Sequence, residues 1–334
     1  MSNNASIKPT RPARSSVLLC LAGLLGGSLA MSSVHAQEAV AQAIPGVVAA
    51  GARIELIKEG FTGTEGPLAL PDGSLAFTET QANRITRIAP DGTTSSFLEN
   101  SNGSNGLGFN GKGELISVQV ANTRVGVVYP QGHEKILADN FEGLPFGRPN
   151  DLVVDKRGGI YFTDSGVNVV PGQPAPAKAV AKPAVYYITP GGVLKRLAHD
   201  IERPNGIQLS PDEKVLYVAN TLGEHVLAYD VAADGSIGAR RNFAQLAGWS
   251  KTENGYSSGA DGLAVDEKGR LYVASNIGIE VFSPSGEALG SIALPKKPQN
   301  LAFAGTGKRA LYVVGRGAAY RIATQTAGYA GRAK

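Results

Sequence analysis

Cysteine is nearly absent from this 334-residue chain, and the single one, Cys20, lies in a stretch expected to be cleaved. The remainder has no thiol, which excludes disulfides, thiolate metal sites and cysteine nucleophiles. Histidine is almost as sparse. Beyond the leader only His133, His199 and His225 remain, far apart in sequence, so a zinc or copper centre built from several imidazoles is disfavoured. No run of five Lys or Arg occurs, and nucleic acid is not an expected partner. Sustained helical periodicity is missing, and the apolar run near the start is too short to span a bilayer.

That apolar run, Val17 to Ala30, follows Lys8, Arg11 and Arg14 and precedes Val34-His35-Ala36. Positive region, apolar region and small-residue site are the layout of a secretory signal, with cleavage expected before Gln37. Residues 1–36 carry three basic and no acidic side chains, so their removal takes the formal charge from +4 to +1. Leu19-Cys20 is a poor lipid-attachment site. The expectation is a periplasmic or secreted protein, with no membrane anchor in its mature form.

What the chain does have is a repeat. Six stretches open on a carboxylate or amide: Glu65-Gly-Pro-Leu, Asn105-Gly-Leu, Asn150-Asp-Leu, Asn205-Gly-Ile, Asp261-Gly-Leu and Asn300-Leu-Ala. A turn and a second apolar run follow each, as in Ile160-Tyr-Phe-Thr, Leu216-Tyr-Val-Ala and Leu271-Tyr-Val-Ala. The openings lie 40, 45, 55, 56 and 39 residues apart, a spacing of propeller blades. The reading is an all-β, six-bladed propeller of four-stranded antiparallel blades over residues 53–325. A leader (1–36) and a linker (37–52) precede it, and a tail (326–334) follows. The last blade lacks a fourth strand, which Arg53–Lys58 is expected to supply. Length alone would allow two domains, but the repeats run through nearly the whole chain.

In a propeller the innermost strands line one channel, so the six opening residues should converge there as oxygen donors. Calcium takes six to eight such oxygens. Glu65 and Asp261 would supply two negative charges, Asn150 and Asn205 neutral amides. Asn and Asp are also common turn formers; Glu65 in the same slot is harder to explain that way. Strict alternation would turn Asp151 away from the channel, and Asp155 and Asp266 read as turn residues. Antiparallel order brings three segments to the ligand end: Asn140–Pro149, Gly166–Ala184 and Gly248–Ala260. Their Phe146, Trp249 and Pro-rich stretch are expected to wall a pocket.

The ordered set Glu65-Gly-Pro, Arg148-Pro-Asn150-Asp, Arg203-Pro-Asn205-Gly and Asp261-Gly-Leu-Ala-Val-Asp resembles the senescence-marker-protein/gluconolactonase/luciferin-regenerating-enzyme family over about residues 53–322. The resemblance implies one catalytic divalent cation held by Glu65, Asn150, Asn205 and Asp261. Calcium leads, with zinc, magnesium and manganese admitted. It also implies Arg148, Asn105 and Asn150 at the substrate, and Asp261 or a cation-activated water as base. A monomeric lactone hydrolase acting on a small molecule is the expectation, with His225 a reserve base. Gln119-Val120 stand where many bacterial members carry Glu-His. Two other readings share parts of this pattern: a non-enzymatic propeller of the NHL type, and a calcium-dependent phosphotriesterase or arylesterase.

Overall fold

Each repeat forms one antiparallel sheet because its strands are short, rich in Val, Ile, Leu and Tyr, and separated by turns that only adjacent pairing can satisfy. In the computed structural model, residues 39–167, 179–253 and 255–334 are described. The expected leader and the middle of the Gly166–Ala184 loop lie outside them. Blade one runs Thr64–Ala69, Leu75–Glu79, Arg84–Ile88 and Thr94–Glu99, and blade two Ser104–Phe109, Leu115–Gln119, Arg124–Tyr129 and Lys135–Ala138. Blade three comprises Pro149–Val154, Ile160–Asp164, Ala184–Ile188 and Leu194–Ala198, and blade four Pro204–Leu209, Val215–Asn220, His225–Asp230 and Arg241–Gln245. Blade five is Leu263–Val265, Leu271–Ser275, Gly278–Phe282 and Ala288–Ile292. In blade six, Asn300–Ala304, Ala310–Gly315 and Ala318–Ala323 are completed by Ile54–Glu59, from the other end of the chain. The six sheets form a six-bladed β-propeller. Among the described residues no helix is long and apolar enough to cross a membrane.

The closing strand pairs as expected, Ile54 against Ile322 and Glu59 against Ala318. Arg321 adds a two-pronged contact to Glu55, with Nε and Nη2 at 3.0 and 2.8 Å from its carboxylate oxygens. Six apolar clusters occupy the junctions between neighbouring blades. One joins Tyr161 and Tyr187 of blade three to Ile207 and Val218 of blade four. Another closes the ring, setting Tyr312 and Val314 of blade six against Phe77 and Ile88 of blade one. Both faces of each blade are thus covered, which explains why the middle strands read as continuous apolar runs.

Two segments expected to be peripheral are packed. Ala41, Ile44, Val47 and Val48, in the stretch read as a linker, join the core between blades five and six. At the other end the tail crosses the base of the ring, as Glu267 N–H donates to Ala327 O at 2.9 Å and Ala69 N–H to Ala333 O at 3.1 Å.

The strands lining the channel do not alternate simply. In blade three Pro149 faces Asp164 and Leu152 faces Phe162, so Asn150 and Asp151 together oppose one residue, Thr163. This is a β-bulge, and blades one, two and four carry register shifts at the same level. It corrects the expectation for Asp151. The side chain is fully buried and interacts with the channel-lining Asn300 instead of facing away.

Candidate metal and substrate site

Each bulge creates two successive positions at the channel. The first holds Glu65, Asn105, Asn150, Asn205 and Asp261. In the second, glycine is demanded by crowding: a Cβ on Gly66 would lie 1.9 Å from Asn105 O, and one on Gly206 2.1 Å from Asp261 O. Asp151 and Asn300 are the exceptions at this level. Each accepts from the amide of its own next residue, Leu152 N–H and Leu301 N–H, at 2.9 Å. Asn300 therefore matches Asp151, not Asn150, and the sixth residue of the first level is Gln299. Its Nε2 donates to Glu65 Oε1 at 3.2 Å. The missed signal is a basic-Pro-amide triplet shared by Arg148-Pro-Asn150, Arg203-Pro-Asn205 and Lys297-Pro-Gln299.

Glu65, Asn105, Asn150 and Asn205 are buried and Asp261 and Gln299 half-buried, yet several of their buried polar atoms have no hydrogen-bond partner within the protein. These are Oδ1 of Asn150, Oδ1 of Asn205, Oδ1 of Asp261 and both polar atoms of the Asn105 amide. Buried polar atoms are rarely left this way. The Asn205 amide is held by Nδ2 donating to Thr221 Oγ1 at 3.1 Å, which leaves its oxygen without a partner. Charge points the same way. Burial and the Asp151 charge push the Glu65 carboxyl up to about 7. Burial, then the charges of Glu65 and Asp151, push Asp261 well above the ordinary carboxylate range. Two carboxyls pushed above the ordinary range at one level of the channel, beside amide oxygens without partners, fit a hard divalent cation. No three His, Cys, Asp or Glu side chains among the described residues form a metal-binding group. A cation here would rest on two carboxylates supplemented by amides.

Arg148 lies close enough to bear on both Glu65 and Asp261 electrostatically. Its backbone is held by a residue the sequence reading passed over, Asp164. Asp164 is buried, and that burial raises its carboxyl. Its oxygens accept from Gly147, Arg148 and Gly166 N–H at 2.7, 2.6 and 2.9 Å. The corresponding strand end in blade two is Gln119, whose Oε1 accepts from Asn102 Nδ2 and Arg124 Nε, both at 2.7 Å. Gln119 thus ties a loop together. Arg203 and Lys297 also carry charge near Asp261, and burial lowers both cations' pKa values. Asp155 and Asp266 serve turns, accepting from Gly159 N–H at 2.8 Å and Arg270 N–H at 3.0 Å.

The expected pocket walls divide. Phe146 is not one: it is 1% exposed and packs edge-on against Phe162 and Tyr186 in the core between blades two and three. Trp249 is half-buried and stacks on Tyr256 with ring centroids 5.0 Å apart. Its loop is tied toward Lys297 through Asn276, whose Nδ2 donates to Gly248 O at 3.1 Å and whose Oδ1 accepts from Lys297. His225 opens the third strand of blade four, two strands out from the channel.

The family model for the SMP-30/gluconolactonase/LRE-like region matches residues 63–316, from the start of blade one to the second strand of blade six. The chain belongs to that family. A gluconolactonase from Zymomonas mobilis is 29% identical over 296 residues, covering 82% of each chain. The solved structure of a gluconolactonase from Xanthomonas campestris superposes with a TM-score of 0.71 at 26% identity, over 86% of this chain and 97% of that one. A calcium-binding protein, regucalcin, from Agrobacterium tumefaciens shares the fold, with a TM-score of 0.67 at 16% identity over 83% of this chain and 95% of that one.

Proposed function

We propose that this protein is a divalent-cation-dependent lactone hydrolase of the gluconolactonase type, acting as a monomer in the periplasm or outside the cell. The observation that carries the reading is the buried set of unpartnered oxygens on Asn150, Asn205 and Asp261, beside the raised carboxyls of Glu65 and Asp261. The two gluconolactonases above, matched over most of both chains, support the substrate class. Glu65, Asn150, Asn205 and Asp261 would hold the cation, calcium by preference for an all-oxygen shell, and it would polarise the lactone carbonyl and acidify water.

The chain's own residues do the rest. Asn105, with both amide atoms unengaged, offers a donor and an acceptor to substrate hydroxyls. Arg148, whose Nε is buried without a partner, orients a ring or carbonyl oxygen through directional hydrogen bonds. Asp261 takes the proton as the water oxygen bonds to the carbonyl carbon. The ring C–O bond then breaks, and the ring oxygen leaves as a hydroxyl once protonated, giving a hydroxy acid. Arg148, Arg203 and Lys297 favour the carboxylate as it forms.

A purely binding propeller has no need of such a set, and a phosphotriesterase reading gains no support from the site. Hydrolysis of aldonolactones, aliphatic lactones and aryl esters, compared side by side, tests the class; turnover of aryl esters alone would overturn it. Arg148→Ala should lower kcat/KM on the preferred lactone about ten- to a hundredfold, as for a lost charged hydrogen bond. Cation content should be unchanged, because a guanidinium cannot be a ligand. Steady-state kinetics with metal analysis checks both halves.

A further inference from the structure

The far end of the channel is closed by the chain's own tail. Opposite the candidate site the ring opens as a hollow of about 900 Å³ bounded by the turns of blades one, two, three and six and by Ala330–Lys334. The tail is held at several points. Tyr329 N–H donates to Val265 O at 3.1 Å, Lys308 Nζ to Tyr329 O at 3.0 Å, and Arg332 Nη1 pairs with Glu213 at 3.1 Å. This seating carries the Lys334 side chain into the channel, where its ammonium pairs with Asp151. The two side chains are 4% and 0% exposed.

Asp151 is one step from the candidate ligands. Asn300 Nδ2 lies 3.5 Å from Asp151 Oδ2 and 3.3 Å from Glu65 Oε2, so one amide bridges the two carboxylates. Asn300 Oδ1 is occupied by Leu301 N–H at 2.9 Å, which fixes the amide's orientation. The channel therefore holds an ordered column: Lys334, Asp151, Asn300, Glu65. Without Lys334, the buried carboxylates of Asp151 and Glu65 would face each other with the Asn300 amide as their only link in this column.

We infer that Lys334 is a positioning residue whose ammonium balances Asp151, and so sets how strongly the Glu65–Asp261 pair attracts its cation. The inference rests on the reading of that pair as a cation site. A charge-balancing role has a signature that a packing role lacks: the two members of the pair should shift cation affinity in opposite directions. Removing the ammonium leaves an extra negative charge beneath the site, and neutralising Asp151 leaves an extra positive one. A plain structural brace would weaken binding from either side.

The test is calorimetric titration of the full-length chain with calcium. Lys334→Met should tighten binding and Asp151→Asn should weaken it, each by about tenfold, the scale of one partly screened charge. The double variant should return to within about threefold of the parent, as coupled charges do in a double-mutant cycle. Lys334→Arg should stay near the parent, and it reports on the charge if Lys334→Met, with its uncompensated carboxylate, does not fold. The double variant reports the same without either lone charge. Shifts of the same sign in both single variants, or none in either, would overturn the inference while leaving the cation site intact. A parent that binds no calcium, magnesium, manganese or zinc would sink the cation reading and this inference with it.

Discussion

Asp261→Asn is expected to lower kcat/KM for lactone hydrolysis on the order of a thousandfold, the scale lost when a transition-state charge loses its stabilising partner. Asp261 serves twice in this account. Its carboxylate supplies half of the formal charge opposing the cation, and Oδ1 is buried without any protein partner. Asparagine keeps the shape and one oxygen but removes the charge and the base. Both the rate and the cation affinity should therefore fall. Cooperative unfolding should survive, because burial raises the carboxyl so strongly that the charge is a liability to the cation-free fold. Kinetics, metal titration and thermal unfolding on one preparation separate these effects. A variant with parental kcat/KM would remove Asp261 from the mechanism.

A chain beginning at Phe61 is expected to lose more than about 10 °C in Tm, or to become insoluble, since a few kcal/mol moves a domain of this size by that much. The deletion removes the fourth strand of blade six and with it the pairing from Ile54 to Glu59. It also strips Ala41, Ile44, Val47, Val48 and Ile54 from the cluster between blades five and six. Each of the buried Ile and Val side chains is worth about 1.5–3 kcal/mol relative to exposure. The strand Ala318–Ala323 would become a bare, largely apolar edge, which invites pairing with other chains. Thermal unfolding and light scattering measure both consequences. An unchanged Tm in a monomeric truncated chain would show that the ring does not depend on this closure.

The blade architecture was legible because it is carried by local pattern. Apolar runs such as Leu271-Tyr-Val-Ala, turns at regular intervals and an unpartnered first strand leave few ways to arrange the chain. Most of the first level at the channel was legible too, since a polar residue before a crowded glycine recurs in four of the six blades. The bulge was not. It inserts one residue into a two-residue period, so Asp151 joined the channel against alternation, and Asn300 proved one place out of register with Asn150. Gln299 was hidden by the same offset, although Lys297-Pro298 repeats the lead-in of Arg148-Pro149. Phe146 was placed at a pocket because its loop reaches the ligand end; its side chain instead fills the junction between two blades. The tail gave no local signal, since small residues with scattered charges reveal nothing of a seat formed by several blades.

The most direct measurement is lactone hydrolysis by the full-length protein after exhaustive chelation, followed by return of calcium, magnesium, manganese or zinc one at a time. The account predicts that activity vanishes on chelation and returns with about one equivalent of a single preferred ion, calcium first. Glu65→Gln and Asp261→Asn should need far more of that ion. Full hydrolysis by a protein shown to be free of metal would contradict it.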